Sequence, residues 1–359
     1  MKNNKIYRYS ILLTLPIGLL FFLIVFAQKQ PVDSIDYQSN TVDRKQRGAH
    51  IFGRVDSTNF QLLNRNNIEW ITLVAWGGQD DYDSPILRQH NGDSLRMQRR
   101  DSSWISRIEL ARSAGFKVFV KPHVWIDAPS NGKWRSDIYP SNDENWELWK
   151  KSYRDFILRY AHIAQQANAE MYCIGTEFTR LSIEKPAFWK ALIQEVRGIY
   201  SGKITYAANW HNEYENITFW EDLDYIGIQA YFPLVKNEYP SVRQISKGWN
   251  KYIPSLKSIQ KKYHRKIIFT EMGYKSTADS AISPWEWIDH TKPNKSLSTA
   301  TQANCYEAFF KTIWQKDWFA GVHIWHLRSD YSERDSPRNH LDFIPQGKPA
   351  EDIIAEGFE

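Results

Sequence analysis

The sequence has few cysteines and lacks the short motifs of several common enzyme classes. Cys173 and Cys305 are the only cysteines in 359 residues. They are too few for a disulfide framework or a cysteine-based zinc site, and we expect both to be plain buried thiols. The glycine-rich loops GxGxxG and GxxxxGKS/T are absent, as is the zinc-protease motif HExxH. These absences argue against nucleotide-dependent enzymes built on either loop and against an HExxH zinc hydrolase.

The sequence also lacks a strong excess of charge. It has 46 Lys+Arg against 41 Asp+Glu, a net charge of +5, and no block of basic residues. A protein that follows a phosphate backbone normally carries a clustered basic patch. We therefore predict no nucleic acid partner.

Histidine and aspartate spacings do not fit a metal site. His323 and His326 are three residues apart in a predicted strand and so face opposite sides. His50 and His123 have no carboxylate at ligand spacing, and the acidic loop 80–83 lacks the EF-hand pattern. We predict no metal and no cofactor.

One long hydrophobic run occurs, at the N-terminus. Lys2, Lys5 and Arg8 precede the apolar residues 11–27. This pattern predicts that residues 1–30 are a signal peptide, cleaved near Ala27, or a signal anchor forming a transmembrane helix. Residues 31–46 are expected to be a linker and 47–359 one domain outside the cytoplasm, with membrane contact through the N-terminal segment only.

The remainder of the chain alternates short β-branched or aromatic runs with longer segments of helical periodicity. One such helical segment begins near Ser141, Asn142 or Asp143, and another has Pro186 in its first turn. The alternation predicts an α/β fold, a single (β/α)8 TIM barrel. A doubly wound sheet is the alternative, but its glycine-rich loop is missing. The expected strands are 48–52, 70–76, 117–125, 171–177, 204–210, 225–231, 266–271 and 321–326.

Aromatic residues are abundant, with 16 Trp, 19 Tyr and 18 Phe. Bulky core packing is one explanation, and a cleft that stacks aromatic faces on sugar rings or bases is another. In a TIM barrel the active site lies at the C-terminal ends of the strands. The residues predicted at those ends are Trp76, His123, Trp125, Glu177, Trp210, Tyr231, Glu271, and Trp325 with His326.

Two of these strand-end residues, Glu177 and Glu271, carry acid–base chemistry. A carboxylate that closes an apolar strand is costly unless it faces a cleft or finds partners. Two carboxylates across a cleft can hydrolyse a glycosidic bond, one protonating the leaving oxygen while the other attacks the anomeric carbon or activates water. The alternative is that both glutamates form salt bridges with basic residues of nearby loops.

Several motifs along the chain resemble those of a known family. They are RGAH at 47–50, IGTE at 174–177, ANW at 208–210, IGIQAYFPL at 226–234, TEMGYKS at 270–276, SPWEW at 283–287 and PQGKPAE at 345–351. Together they resemble glycoside hydrolase family 113 of the clan A retaining glycosidases, whose characterised members are β-mannanases. The similarity covers about residues 47 to 350.

This resemblance implies roles for five residues. Glu177 corresponds to the general acid/base and Glu271 to the nucleophile. Tyr231 corresponds to the tyrosine that hydrogen-bonds the nucleophile, and Trp325 to the aromatic platform beneath the sugar. The clan commonly has Asn before its acid/base, contacting the sugar 2-hydroxyl. Thr176 stands there instead, and its hydroxyl reaches less far than an amide.

Other strand-end residues are candidates for substrate binding. His123 either bonds a sugar hydroxyl or is a structural histidine, and Trp76, Trp125 and Trp210 either stack on sugars or pack beneath loops. Asn209 is a further hydroxyl ligand, although it and Trp210 should face opposite ways in a regular strand.

The resemblance therefore implies a retaining β-glycoside hydrolase acting on β-1,4-mannan or manno-oligosaccharides, and we expect a polysaccharide or oligosaccharide as its substrate partner. The alternatives are a β-glucosidase- or β-galactosidase-type enzyme of the same clan and a non-catalytic barrel that binds polysaccharide at the cell surface.

Overall fold

The computed structural model describes residues 44–88, 94–289, 295–329 and 340–359. The predicted signal or anchor segment 1–30 and linker residues 31–43 lie outside these ranges, so both remain predictions. Within the described ranges, no helix combines the length and the apolar character that a membrane span requires.

Eight parallel strands close into a barrel in sequence order, with β1 also pairing with β8. This confirms the predicted (β/α)8 barrel, and each predicted strand is present with its ends moved by up to three residues. The strands are β1 (Gln46–Phe52), β2 (Trp70–Gln79), β3 (Lys117–Ile126), β4 (Met171–Thr176), β5 (Lys203–Asn209), β6 (Ile226–Gln229), β7 (Ile267–Met272) and β8 (Phe319–Arg328).

Helices follow the strands around the outside of the barrel. Two of the predicted starts are confirmed, because the Asn142 side chain caps the helix that begins at Asp143 by accepting from the Asn145 backbone amide at 2.8 Å, and Pro186 is the first residue of another helix. The helices are α1 (Ser57–Arg65), α2 (Ser94–Ser113), α3 (Asp143–Gln166), α4 (Thr179–Glu184), α5 (Pro186–Ile199), α6 (Val242–Tyr263), α7 (Thr299–Thr312) and α8 (Pro349–Gly357).

Much of the aromatic content fills the layer between helices and strands. Trp149 of α3 and Trp189 of α5 are completely buried, and Trp149 stacks on Tyr153 with ring centroids 4.7 Å apart. Burying such a large apolar ring stabilises the folded state, so replacing one of these tryptophans with alanine would lower the free energy of unfolding by about 3–5 kcal/mol. The core-packing explanation therefore accounts for these residues.

Close packing at the end of β4 requires glycine. A Cβ on Gly175 would lie 2.7 Å from the Tyr206 ring and 2.8 Å from that of Trp189. Contacts this short do not occur, so a larger residue would push β4 away from β5 and α5. Glycine therefore fixes the position of the strand end that leads into Glu177. Cys173 of the same strand is a free buried thiol, as is Cys305, as expected.

Candidate active site

A cavity of about 380 Å³ opens at the C-terminal ends of the strands. Nine of the ten residues predicted for the site line it, so the barrel brings together side chains spread over 250 positions of sequence. These residues are Trp76, His123, Trp125, Glu177, Asn209, Trp210, Tyr231, Glu271 and Trp325.

Glu271 lies within β7 and is only 4% exposed. Its Oε1 atom forms an ion pair with Lys121 of β3, a side chain with no exposed surface. Its Oε2 atom accepts a hydrogen bond of 2.9 Å from the Tyr231 hydroxyl. The carboxylate is therefore fixed at both oxygens, and the adjacent ammonium stabilises its negative charge.

The groups around Glu271 hold defined protonation states. Burial, and next the charge of Glu271, raises the pKa of Tyr231 well above its usual 10, so the phenol remains a donor. Lys121 donates a second bond of 3.0 Å to Gln229 Oε1. His50 Nε2 lies 3.8 Å from Glu271 Oε1, and burial followed by the charge of Lys121 lowers the pKa of His50 well below 6.5. His50 is therefore neutral at neutral pH, and the ion pair of Glu271 is the one with Lys121.

Glu177 follows β4 directly and adopts left-handed backbone geometry, with φ of 57°. This conformation costs a residue other than glycine about 1–2 kcal/mol. Its amide donates to the Ala207 carbonyl at 2.9 Å, and its Oε2 atom accepts a 2.7 Å hydrogen bond from Arg135. The unusual backbone turns the side chain from the strand end into the cavity, where it is 9% exposed.

Thr176 is the predicted site residue that does not line this cavity. Its side chain is completely buried and its hydroxyl points to the Pro122 carbonyl of β3, 3.5 Å away. The physical reason is strand alternation, because Thr176 still belongs to β4 and faces away from the position that Glu177 reaches. A direct contact between Thr176 and a sugar stays a prediction, without support from this geometry.

His123 lines the cavity as a neutral ring. A carbonyl oxygen can only accept, so Nδ1 must donate its hydrogen to Val124, 3.2 Å away. Burial, and next the charge of Arg135, lowers the pKa of His123 well below 6.5. The neutral ring therefore leaves Nε2 as an acceptor, suited to a hydroxyl donor.

Tryptophans form two groups around the two glutamates. Trp76 and Trp125 are 36% and 42% exposed, and Trp125 meets Trp134 edge to face with ring centroids 5.3 Å apart. Trp210 stacks on Trp285 with centroids 5.2 Å apart. Exposed indole rings facing a cleft offer apolar surfaces that match the C–H faces of sugar rings.

A second cavity of about 870 Å³ adjoins the first. The two share five lining tryptophans, so they are parts of one cleft: Trp76, Trp125, Trp134, Trp287 and Trp325. This volume exceeds what a single small group requires and suits an extended ligand.

Asn209 and Trp210 both line the cavity, although a regular strand would point them apart. The strand β5 ends at Asn209, and Trp210 lies in the turn that follows. The turn breaks the alternation that holds within the strand. The Asn209 amide Nδ2 donates to Thr179 Oγ1 at 3.0 Å.

Some residues of the site were missed in the sequence. Lys121 had a signal, because a lysine inside an apolar strand, two positions before His123, demands a buried partner on the same face. Trp285 and Trp287 belong to the SPWEW motif, which indicated the family but not a place in the site. Arg135 had no signal, because it lies in a loop whose path strand patterns do not describe.

Among the residues that the structure describes, no group of three or more His, Cys, Asp or Glu is arranged to hold a metal ion. His323 bonds Thr72 within the barrel, with Nδ1 2.6 Å from Oγ1. His326 instead lines the larger cavity. The two histidines do face different surroundings, as their spacing predicted.

Comparisons with known proteins give a consistent result. The solved structure of a GH113 β-1,4-mannanase complex matches with a TM-score of 0.73 and 25% identity, over 88% of this chain and 99% of that chain. The GH113 β-mannanase of Alicyclobacillus acidocaldarius, in complex with ManMIm, matches with a TM-score of 0.72 and 27% identity, over 88% and 97%.

More distant structures share the barrel. A Faecalibacterium prausnitzii β-glucuronidase matches with a TM-score of 0.55 at 11% identity, over 88% of this chain and 49% of that chain, a likeness of fold alone. No curated protein sequence gives a significant match. The sequence profile of Glycoside Hydrolase Family 113, however, matches residues 46–348. Because this match spans most of the chain, the protein belongs to glycoside hydrolase family 113.

Proposed function

We propose that this glycoside hydrolase is a retaining β-mannanase that cleaves β-1,4-linked mannan or manno-oligosaccharides. Membership of family 113 supports this, as do two similar structures described as β-mannanases. The observation that carries the assignment of residues is one tryptophan-lined cavity in which Glu271 pairs with a lysine and Glu177 with an arginine.

In the first half of the proposed reaction, a Glu271 oxygen attacks the anomeric carbon. The bond from that carbon to the leaving oxygen breaks, and Glu177 transfers its proton to this oxygen. A glycosyl ester on Glu271 and a free hydroxyl on the leaving sugar result. Lys121 and Tyr231 hold the Glu271 carboxylate in the orientation for attack.

In the second half, Glu177 acts as a base. Its carboxylate removes a proton from water as the water oxygen attacks the anomeric carbon and releases Glu271. Arg135, 2.7 Å from Glu177 Oε2, stabilises the ionised form that this step requires. Two inversions at one carbon retain the β configuration.

Substrate binding follows from the walls of the cleft. We propose that Trp325 lies beneath the sugar whose bond breaks and that Trp76, Trp125 and Trp210 stack on neighbouring sugars. His123 Nε2 accepts from a sugar hydroxyl. The adjoining larger cavity favours a chain of sugars over a single one.

We also propose that the enzyme works outside the cytoplasm, delivered by residues 1–30. The positively charged start and apolar run of this segment support export, by a cleaved signal or a retained anchor. Cell fractionation, with mass measurement of the mature N-terminus, tests this. The full-length chain in the cytoplasmic fraction would contradict it.

The function is tested by hydrolysis of defined oligosaccharides. Wild-type protein should cleave β-1,4-mannotriose better than its gluco- and galacto-configured counterparts, and proton NMR should detect the β-anomer as the first product. Glu271→Ala should abolish turnover while binding to mannotriose, measured by calorimetry, persists. Normal turnover by this variant, or initial release of the α-anomer, would contradict the proposal. A preference for a gluco- or galacto-configured substrate would contradict the proposed mannan specificity but not the proposed mechanism.

A further inference from the structure

A third glutamate, Glu213, lies behind the cavity and has no role in the reaction described above. It follows β5 in a turn, and its side chain is completely buried. An acid in such a position is costly unless its oxygens are satisfied. What satisfies them points to a function for this residue.

Four donors converge on the Glu213 carboxylate. Oε1 accepts from the Tyr206 hydroxyl at 2.6 Å and from the Ser182 hydroxyl at 2.9 Å. Oε2 accepts from the backbone amide of Asn209 at 2.7 Å and from the Thr179 hydroxyl at 3.1 Å. None of these donors is a cation. The Ser182 hydroxyl has a second acceptor within reach, the Thr179 carbonyl at 3.1 Å, so it can either donate to Glu213 or accept from it. The cluster therefore satisfies Glu213 in both its ionised and its protonated form.

These donors belong to two chain segments that form the site. Thr179 and Ser182 lie in α4, which begins two residues after Glu177. The Tyr206 hydroxyl also accepts from the Phe178 amide at 2.9 Å, which fixes the residue directly after Glu177. Glu213 therefore ties the backbone that leaves Glu177 to the end of β5.

The same cluster fixes a residue of the cavity wall. The backbone N–H of Asn209 donates to Glu213. The side chain of Asn209, which lines the cavity, donates to the Thr179 hydroxyl at 3.0 Å. Glu177 itself holds a left-handed backbone with φ of 57°. Such a conformation persists only where the surrounding contacts enforce it, and the bonds to Glu213 supply those contacts on its C-terminal side.

Burial also changes the acidity of Glu213. It raises the pKa of Glu213 to about 7, and the negative charge of Glu177 contributes in the same direction. Near neutral pH Glu213 therefore exchanges its proton, and its constant contribution to the site is the position of the groups bonded to it.

We propose that Glu213 is a positioning residue for the general acid: through its bonds to α4 and to the end of β5 it fixes the segment that carries Glu177. This inference rests on the proposed roles of Glu177 and Glu271. It predicts that Glu213 matters most for the step in which the leaving oxygen needs a proton.

The test compares two substrates that share a mannobiosyl group and differ in the leaving group. Dinitrophenolate leaves without a proton, whereas the mannose of mannotriose requires one. Glu213→Gln should lower kcat/KM for β-1,4-mannotriose about tenfold to hundredfold. For 2,4-dinitrophenyl β-mannobioside it should stay within about threefold of wild type, because kcat/KM reports the first irreversible step.

Glu215→Gln is the matched control, since Glu215 lies in the same turn but is exposed, and it should leave both values unchanged. Equal losses on both substrates by Glu213→Gln would mean a merely structural role and would overturn the inference, as would no loss on either. Failure of wild type on both substrates would instead refute the proposed function, and this inference with it.

A smaller variant covers the case in which Glu213→Gln does not fold, as judged by thermal unfolding. Ser182→Ala removes one of the four donors without changing a charge. It should reduce kcat/KM for mannotriose about threefold and leave the dinitrophenyl substrate unaffected. Identical changes on the two substrates, or none, would overturn the inference here too.

Discussion

The two sides of the cavity hold their carboxylates differently. Glu271 is part of a strand, and its ion-pair partner Lys121 is part of another, so the barrel itself sets their geometry. Glu177 lies just beyond a strand, and its partner Arg135 comes from a 3₁₀ turn in the loop between β3 and α3.

The difference matches what each proposed role demands. A nucleophile must be ionised at every turnover, and the buried ammonium of Lys121 favours that single state. An acid/base must gain and lose a proton, and the partner of Glu177, Arg135, belongs to a loop outside the barrel strands. A pair built into the barrel suits the constant charge, and a loop partner suits the changing one.

The largest effect should come from Lys121→Met, which keeps the length of the side chain and removes its charge. We expect kcat/KM to fall about 10²–10³-fold. The loss should be equal for 2,4-dinitrophenyl β-mannobioside and β-1,4-mannotriose, because Glu271 attacks in both cases. Steady-state kinetics with both substrates measure this.

The control for that variant is Tyr231→Phe, which removes only the 2.9 Å bond from a neutral donor to Glu271. Its loss should be smaller than that of Lys121→Met, about tenfold to hundredfold, since a hydrogen bond to a charged group contributes about 1.5–3 kcal/mol. If kcat/KM of Lys121→Met stays within about threefold of wild type, the ion pair with Lys121 does not support Glu271, and the proposed difference between the two sides of the cavity fails.

A smaller and different effect should follow from Arg135→Met. Without the arginine, the Glu177 carboxylate loses the cation that orients and stabilises it for the second half-reaction, so the glycosyl-enzyme should accumulate. We expect kcat for the dinitrophenyl substrate to fall about tenfold, with an initial burst of dinitrophenolate in stopped-flow measurements.

Lys133→Met is the matched control for this variant, because Lys133 lies in the same loop but pairs with Asp137 at the surface. It should show no burst. If Arg135→Met lowers kcat without a burst, Arg135 does not assist the second half-reaction, and the proposed division between the two sides fails.

The smallest effect should come from the loop after β7. Buried Lys275 donates to the carbonyls of Ser283 at 3.0 Å and Glu286 at 2.8 Å, which flank Trp285. Lys275→Met should loosen this part of the wall and raise KM for mannotriose about threefold, with little change in kcat. Initial-rate measurements over a range of mannotriose concentrations test this.

The same variant has a pH signature in stability. Burial lowers the pKa of Lys275 from 10.5 to about 8. Between those values the unfolded chain binds more protons than the folded one, so Lys275 makes the free energy of unfolding rise with pH. Lys275→Met should lose that rise, about 1–3 kcal/mol between pH 8 and 10.5, in denaturant titrations.

Lys348→Met separates stability from binding. Burial lowers the pKa of Lys348 to about 8 as well, but Lys348 donates to Ser276 and Ile344. Its variant should lose a similar pH-dependent contribution while KM stays unchanged. A raised KM in both variants would show that the effect of Lys275 is not specific to the wall beside Trp285.

Much of the site was predictable because strand ends have a recognisable pattern. Glu177, Glu271, Tyr231 and Trp325 each close or follow an apolar run, and a parallel barrel gathers such positions at one face. Thr176 shows the limit of this rule. One residue decides whether a side chain points into the cavity or the wall, and strand boundaries are not predicted that closely.

The sequence by itself determined the order of eight strands, their closure into a barrel and the family, because apolar periodicity and short motifs are local properties. Only the tertiary structure decided which partners hold each carboxylate. Lys121 and Glu271 are 150 residues apart, and Arg135 reaches Glu177 from 42 residues away. Such pairs depend on register and loop path, which arise when the whole chain packs.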